Sequence, residues 1–242
     1  PELLGTTPLH TQVDPGSSIL ELRHPDAIPV THPICPRRGE HVRPEDPVRL
    51  PASIPEGFAF VPGGEVRLGG DPEFTDNRDA RHTIPDFAIA HHLVTAAEYA
   101  IFLNALHAAD PERALSHAPR YGHTLDDKIG GLLWARPGPG ERYRVPDRDA
   151  DGDTWHPDWP ILNVSFEDAS AYARWFSEQH GVRARLPTEW EWEKAMRGAD
   201  GRWFTWGRSW DESLGNFAGS IPGPRRPAPV GSFPTDTSVY GV

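Results

Sequence analysis

The chain has 242 residues, a formal net charge of −11, 37% hydrophobic residues, 27 prolines, 23 glycines and one cysteine. The acidic balance excludes nucleic acid or an anionic membrane surface as the main partner, because phosphate binding needs a basic face; no apolar run reaches the roughly 20 residues that span a bilayer. A lone cysteine, Cys35, excludes an internal disulfide framework and suits a reducing compartment, so a cytoplasmic location is expected.

In chain order, Ser18 to Arg23 alternates apolar and polar after the Pro15-Gly16 turn and predicts a strand. Pro29 to Ile34 and Val48 to Leu50 are weaker strand candidates. Pro51 to Pro55 reads as a linker, which places a domain boundary near residue 54, between a segment 1–54 and a domain 55–242. Phe58 to Gly70 (FAFVPGGEVRLGG) predicts a hairpin closed by Pro-Gly-Gly, and Phe87 to Ala90 another short strand.

Three helix starts then carry a capping box, a hydroxyl followed three residues later by a carboxylate. Thr95 with Glu98 opens a helix whose inner face is Tyr99, Phe102, Leu103 and Leu106. Ser165 with Asp168 opens a second, with Ala169, Tyr172, Ala173 and Phe176 on one stripe. Thr188 with Glu191 opens a third, which Gly198 ends. Trp190 and Trp192 lie two apart on that helix and cannot share a face, so one should pack inward while the other meets a loop. The stretch from His107 to Pro160 has little periodicity, and so long a loop is usually functional or stabilised by something else.

Asp147, Asp149, Asp151 and Asp153 stand at alternate positions around Gly152. Such a run can converge several oxygens on a hard cation such as Ca²⁺. It also reads as a solvated acidic turn, which Asp and Gly favour unaided. The twelfth position is Asp158, where an EF-hand carries Glu, and no amphipathic helix flanks the loop. His91, His92, His117, His123 and His156 show no metal-ligand spacing, and no GxSxG, Walker or kinase signature occurs. The cluster of Trp190, Trp192, Trp203, Trp206 and Trp210 reads as core or as a stacking platform.

Five segments in order resemble the sulfatase-modifying factor family, whose best-known members are formylglycine-generating enzymes: FVPGGEVRLGG (60–70), VTAAEY (94–99), WPILNVSFEDASAYARWF (159–176), RLPTEWEWEKAMRG (185–198) and FTWG (204–207). The resemblance covers about residues 57–242 and implies an α+β, C-type-lectin-like fold with two main helices, short strands and much irregular backbone. It implies a calcium ligand at Asn216, with the Phe217 carbonyl, although the Asp-Gly-Phe that completes the family's site is absent from Ser220 to Arg226. Catalytic members bind Cu(I) through a cysteine pair and oxidise a substrate cysteine; copper is expected here only if such a pair lies beyond Val242. LGTTPL (4–9), PGSSILELRHPD (15–26) and RRGEHV (37–42) resemble the later strands of a PEGA domain, a small β-sandwich. Together the two resemblances imply a segment, cut at both ends, of a bacterial serine/threonine kinase fusion. In that setting the domain is expected to be a non-catalytic binding or sensory module with a protein or peptide ligand. The alternatives are a formylglycine-generating oxidase and a sugar-binding lectin-like module.

Overall fold

The computed structural model describes residues 3–7, 9–43, 47–70, 80–120, 131–149, 152–217, 220 and 226–242. The chain forms two compact units: Pro1–His91 with Thr188–Trp210 and Thr235–Val242, and His92–Pro187 with Asp211–Pro234.

In the first unit, strands β1 (Ser18–His24) and β2 (Ala27–Ile34) form an antiparallel hairpin, with Leu22 opposite Val30 and His24 opposite Ala27. No strand forms over Val48–Leu50; that stretch leads instead to the Pro51 carbonyl, which accepts from the Ile28 N–H. The hairpin expected over residues 58–70 is also corrected. Strands β3 (Phe58–Val61) and β4 (Gly64–Leu68) do not pair with each other: β3 pairs with β6 (Phe87–Ala90), and β4 with β5 (Ala80–Ile84). The reason is visible at Gly63, where a Cβ would stand 2.9 Å from the Asp86 backbone nitrogen. The Pro-Gly-Gly segment therefore passes against the β5–β6 turn instead of folding back on itself, and glycine is required for that approach. Val66, Leu68 and Ile84, with Phe87 against them, make the small apolar cluster of this unit. Helix α4 (Glu189–Arg197) belongs to the same unit and ends at Gly198, whose φ is 63°.

The second unit holds α1 (Ala96–Ala109), a short α2 (Pro111–Ser116) and α3 (Phe166–His180). All three predicted capping boxes form, with the hydroxyls of Thr95, Ser165 and Thr188 accepting from the N–H three residues on. The predicted inner face of α1 is buried: Tyr99, Phe102, Leu103 and Leu106. Helix α3 turns slightly from its predicted stripe, burying Ala171 and Ala173 and packing Tyr172 and Trp175 against the core. Tyr172 meets Tyr99 and Phe102, and burial pushes its phenol up to about 12. The aperiodic stretch after α1 contributes α2 and then much of this core. Leu133, Trp134, Tyr143 and Trp155 are all buried, and Trp134 meets Trp155 edge-on. Large aromatic side chains compensate there for the lack of regular backbone. Among the described residues no helix is long and apolar enough to cross a membrane.

Candidate functional site

Helix α4 has an unusual burial pattern. Its inward face carries Glu191, Lys194 and Ala195, while Trp190 and Trp192 remain 49% and 53% exposed. The expectation that one indole packs inward is thus corrected. The inward positions are polar because the groups they meet are polar. Lys194 Nζ donates to the Gly64 carbonyl at 3.1 Å. Glu193 Oε1 accepts from the Gly69 N–H at 2.6 Å and pairs with Arg197. Arg197 donates to the carbonyls of Gly69 (2.6 Å), Gly201 (2.9 Å) and Arg202 (2.9 Å). A guanidinium supplies the five donors such a junction needs. An indole supplies one, so the tryptophans are left on the outer side.

Burial pushes Lys194 down to about 8, with the nearby Asp86 charge acting in the opposite direction. Burial, with the Lys194 charge beside it, also lowers His32. The exit from α4 is held by Arg202, whose Nε and Nη2 donate to the two oxygens of Asp200 at 2.8 and 2.7 Å. Burial pulls the Asp200 carboxyl upward, but hydrogen bonds and charge from Arg202 outweigh it and hold the group below its usual range. Thr205 Oγ1 donates to Asp236 at 2.8 Å. On this frame Phe204 and Trp206 stack at 5.1 Å with 7° between their planes, Trp210 meets Phe204 edge-on, and Trp190 stacks on His82 at 4.2 Å. Trp203 and Trp210 are exposed as well. Trp190, Trp192, Trp203 and Trp210 of this unit are thus exposed, and indoles suit flat, aliphatic or cationic groups of a ligand.

The acidic turn lies in the second unit. Asp149 Oδ1 accepts from the Asp153 N–H at 3.0 Å, and Oδ2 accepts from Trp155 Nε1 at 2.9 Å. Arg148 Nη1 donates to the Gly152 carbonyl at 2.7 Å, and Arg148 bridges to Thr154. Asp151 lies outside the described residues. Asp147, Asp149 and Asp153 do not gather into a group able to hold a metal ion, and no such group of His, Cys, Asp or Glu occurs among the described residues. Asp149 thus closes a hydrogen-bonded turn and anchors the Trp155 indole. Asn216 Nδ2 donates to the Arg226 carbonyl at 3.3 Å, and the Phe217 N–H donates to Ser220 Oγ at 2.7 Å. Cu(I) requires soft thiolate ligands in pairs; Cys35 is exposed and is the sole cysteine of residues 1–242, so these residues do not fit copper.

A pair that the sequence did not reveal is His117 with Asp168, Nδ1 to Oδ1 at 2.7 Å and both largely buried. The other Asp168 oxygen accepts from the Ser165 N–H, so one carboxylate serves both the helix cap and the imidazole. His123 lies outside the described residues.

The model of the family described as "sulfatase-modifying factor enzyme 1-like domain" matches residues 44–242. A formylglycine-generating enzyme of Thermomonospora curvata is 30% identical over 174 residues, covering 66% of this chain and 55% of the relative. A hercynine oxygenase of Mycolicibacterium smegmatis is 35% identical over 215 residues, covering 81% of this chain and 45% of the relative. The chain therefore spans about half the length of these curated relatives. Among solved structures, PvdO from Pseudomonas aeruginosa superimposes with a TM-score of 0.51 at 23% identity, over 76% of this chain and 65% of that one, a likeness of fold. With an α+β, loop-rich architecture and the family model matching residues 44–242, the chain belongs to the family of sulfatase-modifying factor enzyme 1-like domains.

Proposed function

We propose that this chain is the binding part of a larger bacterial signalling protein, a non-catalytic domain of this family that recognises a protein or peptide ligand. The observation that carries the reading is the exposed indole set of the first unit, Trp190, Trp192, Trp203 and Trp210. Tryptophan is enriched among the residues that dominate interface energetics. Residues 1–54 are then the incomplete PEGA-like segment and 55–242 the family domain, attached to a serine/threonine kinase in the cytoplasm. The β1–β2 hairpin supports the first of these assignments, being a short antiparallel pair in the segment that carries the PEGA-like sequence.

The second reading is an oxygenase whose reacting groups lie outside residues 1–242. The named relatives, a formylglycine-generating enzyme and a hercynine oxygenase, favour it. One experiment separates the two. The full-length protein is incubated with O₂ and either Cu(I) and a cysteine-containing sulfatase peptide, or hercynine. Mass spectrometry follows the products, and indole fluorescence follows binding. The binding reading expects saturable fluorescence change with a peptide ligand, lost in the Trp190→Ala/Trp210→Ala double variant, and no oxidised product. Turnover to formylglycine or to an oxidised form of hercynine overturns it in favour of an oxygenase.

A further inference from the structure

Oxidisable rings fill the core of the second unit: Tyr99, Trp134, Tyr143 and Trp155 are buried, and Trp175 packs against them. They differ in what their polar atoms meet. Tyr99 Oη donates to the His117 carbonyl at 2.9 Å. Trp134 Nε1, Tyr143 Oη and Trp175 Nε1 have no hydrogen-bond partner among the described residues. Of these groups only Trp155 Nε1 donates to a carboxylate, Asp149 Oδ2, at 2.9 Å. That carboxylate is itself held in place, because its other oxygen accepts from the Asp153 N–H at 3.0 Å. Trp134 and Trp155 meet edge-on with ring centroids 5.4 Å apart, so the two π-systems are in contact.

An indole that loses one electron becomes a cation, and its N–H becomes strongly acidic. A buried cation without a partner is costly. Trp134 is 1% exposed and its Nε1–H meets no acceptor, so a positive charge there is neither neutralised nor hydrated. At Trp155 the same charge lies within hydrogen-bond distance of a carboxylate, in an interior where opposite charges attract more strongly than in water. The Nε1 proton can also cross to Asp149 Oδ2, since 2.9 Å is within the reach of direct proton transfer. Both effects lower the energy of an electron vacancy at Trp155 relative to Trp134. Trp155 is also nearer the surface, at 8% exposed. Electrons cross several ångströms of packed protein, so an oxidant needs no opening to either ring.

We propose that Trp134, Trp155 and Asp149 form an electron-donating relay, with Trp155 as the residue at which one-electron oxidation of this unit comes to rest. The oxidant is a one-electron acceptor such as an organic peroxyl radical. It takes one electron from either indole and, with a proton from solvent, leaves as the hydroperoxide. A vacancy on Trp134 is filled from Trp155 across the edge-on contact. The Trp155 Nε1 proton passes to Asp149, which leaves a neutral indolyl radical beside a carboxylic acid. An external thiolate or ascorbate then returns one electron, Asp149 returns the proton, and the starting pair is restored. The relay uses residues of the second unit alone, so it stands or falls separately from the indole surface of the first.

The test is oxidation of the full-length protein by photogenerated ruthenium(III) tris(bipyridine) without added reductant. Peptide mass spectrometry then reads oxygenation residue by residue. Trp155 should be oxygenated at least about tenfold more than Trp134 or Trp175, the difference that a hydrogen bond to a charged group supports. Asp149→Asn removes the charge and the proton acceptor while keeping the side-chain shape, and should lower oxygenation of Trp155 by a similar factor. In the natural chain, oxidation of Trp155 should slow in heavy water, which checks the proton step without a variant. The proposal is overturned if Trp155 is oxygenated no more than Trp134. It is equally overturned if Asp149→Asn, shown to be folded by near-ultraviolet circular dichroism, leaves the Trp155 yield unchanged or raised. Should that variant not fold, a Trp155 yield in the natural chain that is indifferent to heavy water overturns it instead.

Discussion

Helices α1 and α4 begin with the same device and end in opposite environments. Each opens on a threonine whose hydroxyl accepts from the N3 amide while the N3 glutamate reaches back. Beyond the cap, α1 buries Tyr99, Phe102 and Leu103, whereas α4 buries Glu191, Lys194 and Ala195 and shows its indoles to solvent. A cap fixes where a helix starts and says nothing about which side faces inward. That is decided by what surrounds the helix. Apolar side chains from α3 and the following loop surround α1, while carbonyls of Gly64, Gly69, Gly201 and Arg202 surround α4.

The sharpest way to break the contrast is to truncate one side chain on each buried face. Phe102→Ala should cost about 4 kcal/mol in urea unfolding followed by near-ultraviolet circular dichroism, because it removes a fully buried ring. A loss below about 1 kcal/mol would show that the α1 face is not the core.

Lys194→Met tests the polar face through pH. Lys194 has its folded value near 8, below its ordinary 10.5. Between those values the unfolded chain holds a proton that the folded chain has released, so stability rises with pH across that window; below it the buried charge is carried at a cost. The gain from pH 8 to 10.5 should approach about 3 kcal/mol, since each tenfold difference in proton affinity between the two states corresponds to about 1.4 kcal/mol. Lys194→Met should remove this slope. Identical pH profiles for the two proteins would refute the assignment.

The shared device predicts a shared effect. Thr95→Ala and Thr188→Ala should each lower stability by about 1 kcal/mol, checked by paired thermal melts, despite the different faces that follow. A large inequality would mean that one cap has a further role.

The smallest effects are expected at the exposed indoles. Trp190→Ala should cost about 1 kcal/mol through its stacking on His82. Trp192→Ala should change stability by no more than about 0.5 kcal/mol, as surface substitutions do. If either costs as much as Phe102→Ala, the indoles are structural and the binding surface proposed for the first unit fails.

Much of the fold was legible because its signals are local. The capping boxes, the α1 stripe, the Phe87–Ala90 strand and the Gly198 stop all depend on residues within one or two turns of one another, and all appear where expected. The candidate site was far less legible. Arg197 finds three carbonyls, one of them 128 residues away. His117 meets Asp168 across 51 residues, and no spacing rule connects them. A faint signal did exist at α4: its middle reads Glu-Trp-Glu-Lys, so few apolar residues were available for an inward face.

The sequence by itself determined where the helices begin, which side of α1 is apolar, and that residues 1–242 hold one cysteine and so no thiolate pair. These are properties of composition and of neighbours along the chain. Only the tertiary structure decided that β3 and β4 take separate partners, that α4 turns its charges inward, that Asp149 holds the Asp153 N–H and the Trp155 indole, and that Tyr143 Oη and Arg120 Nε lack partners among the described residues. Each of these depends on long-range packing and on the demand of buried polar groups for partners, which sequence neighbours alone do not encode.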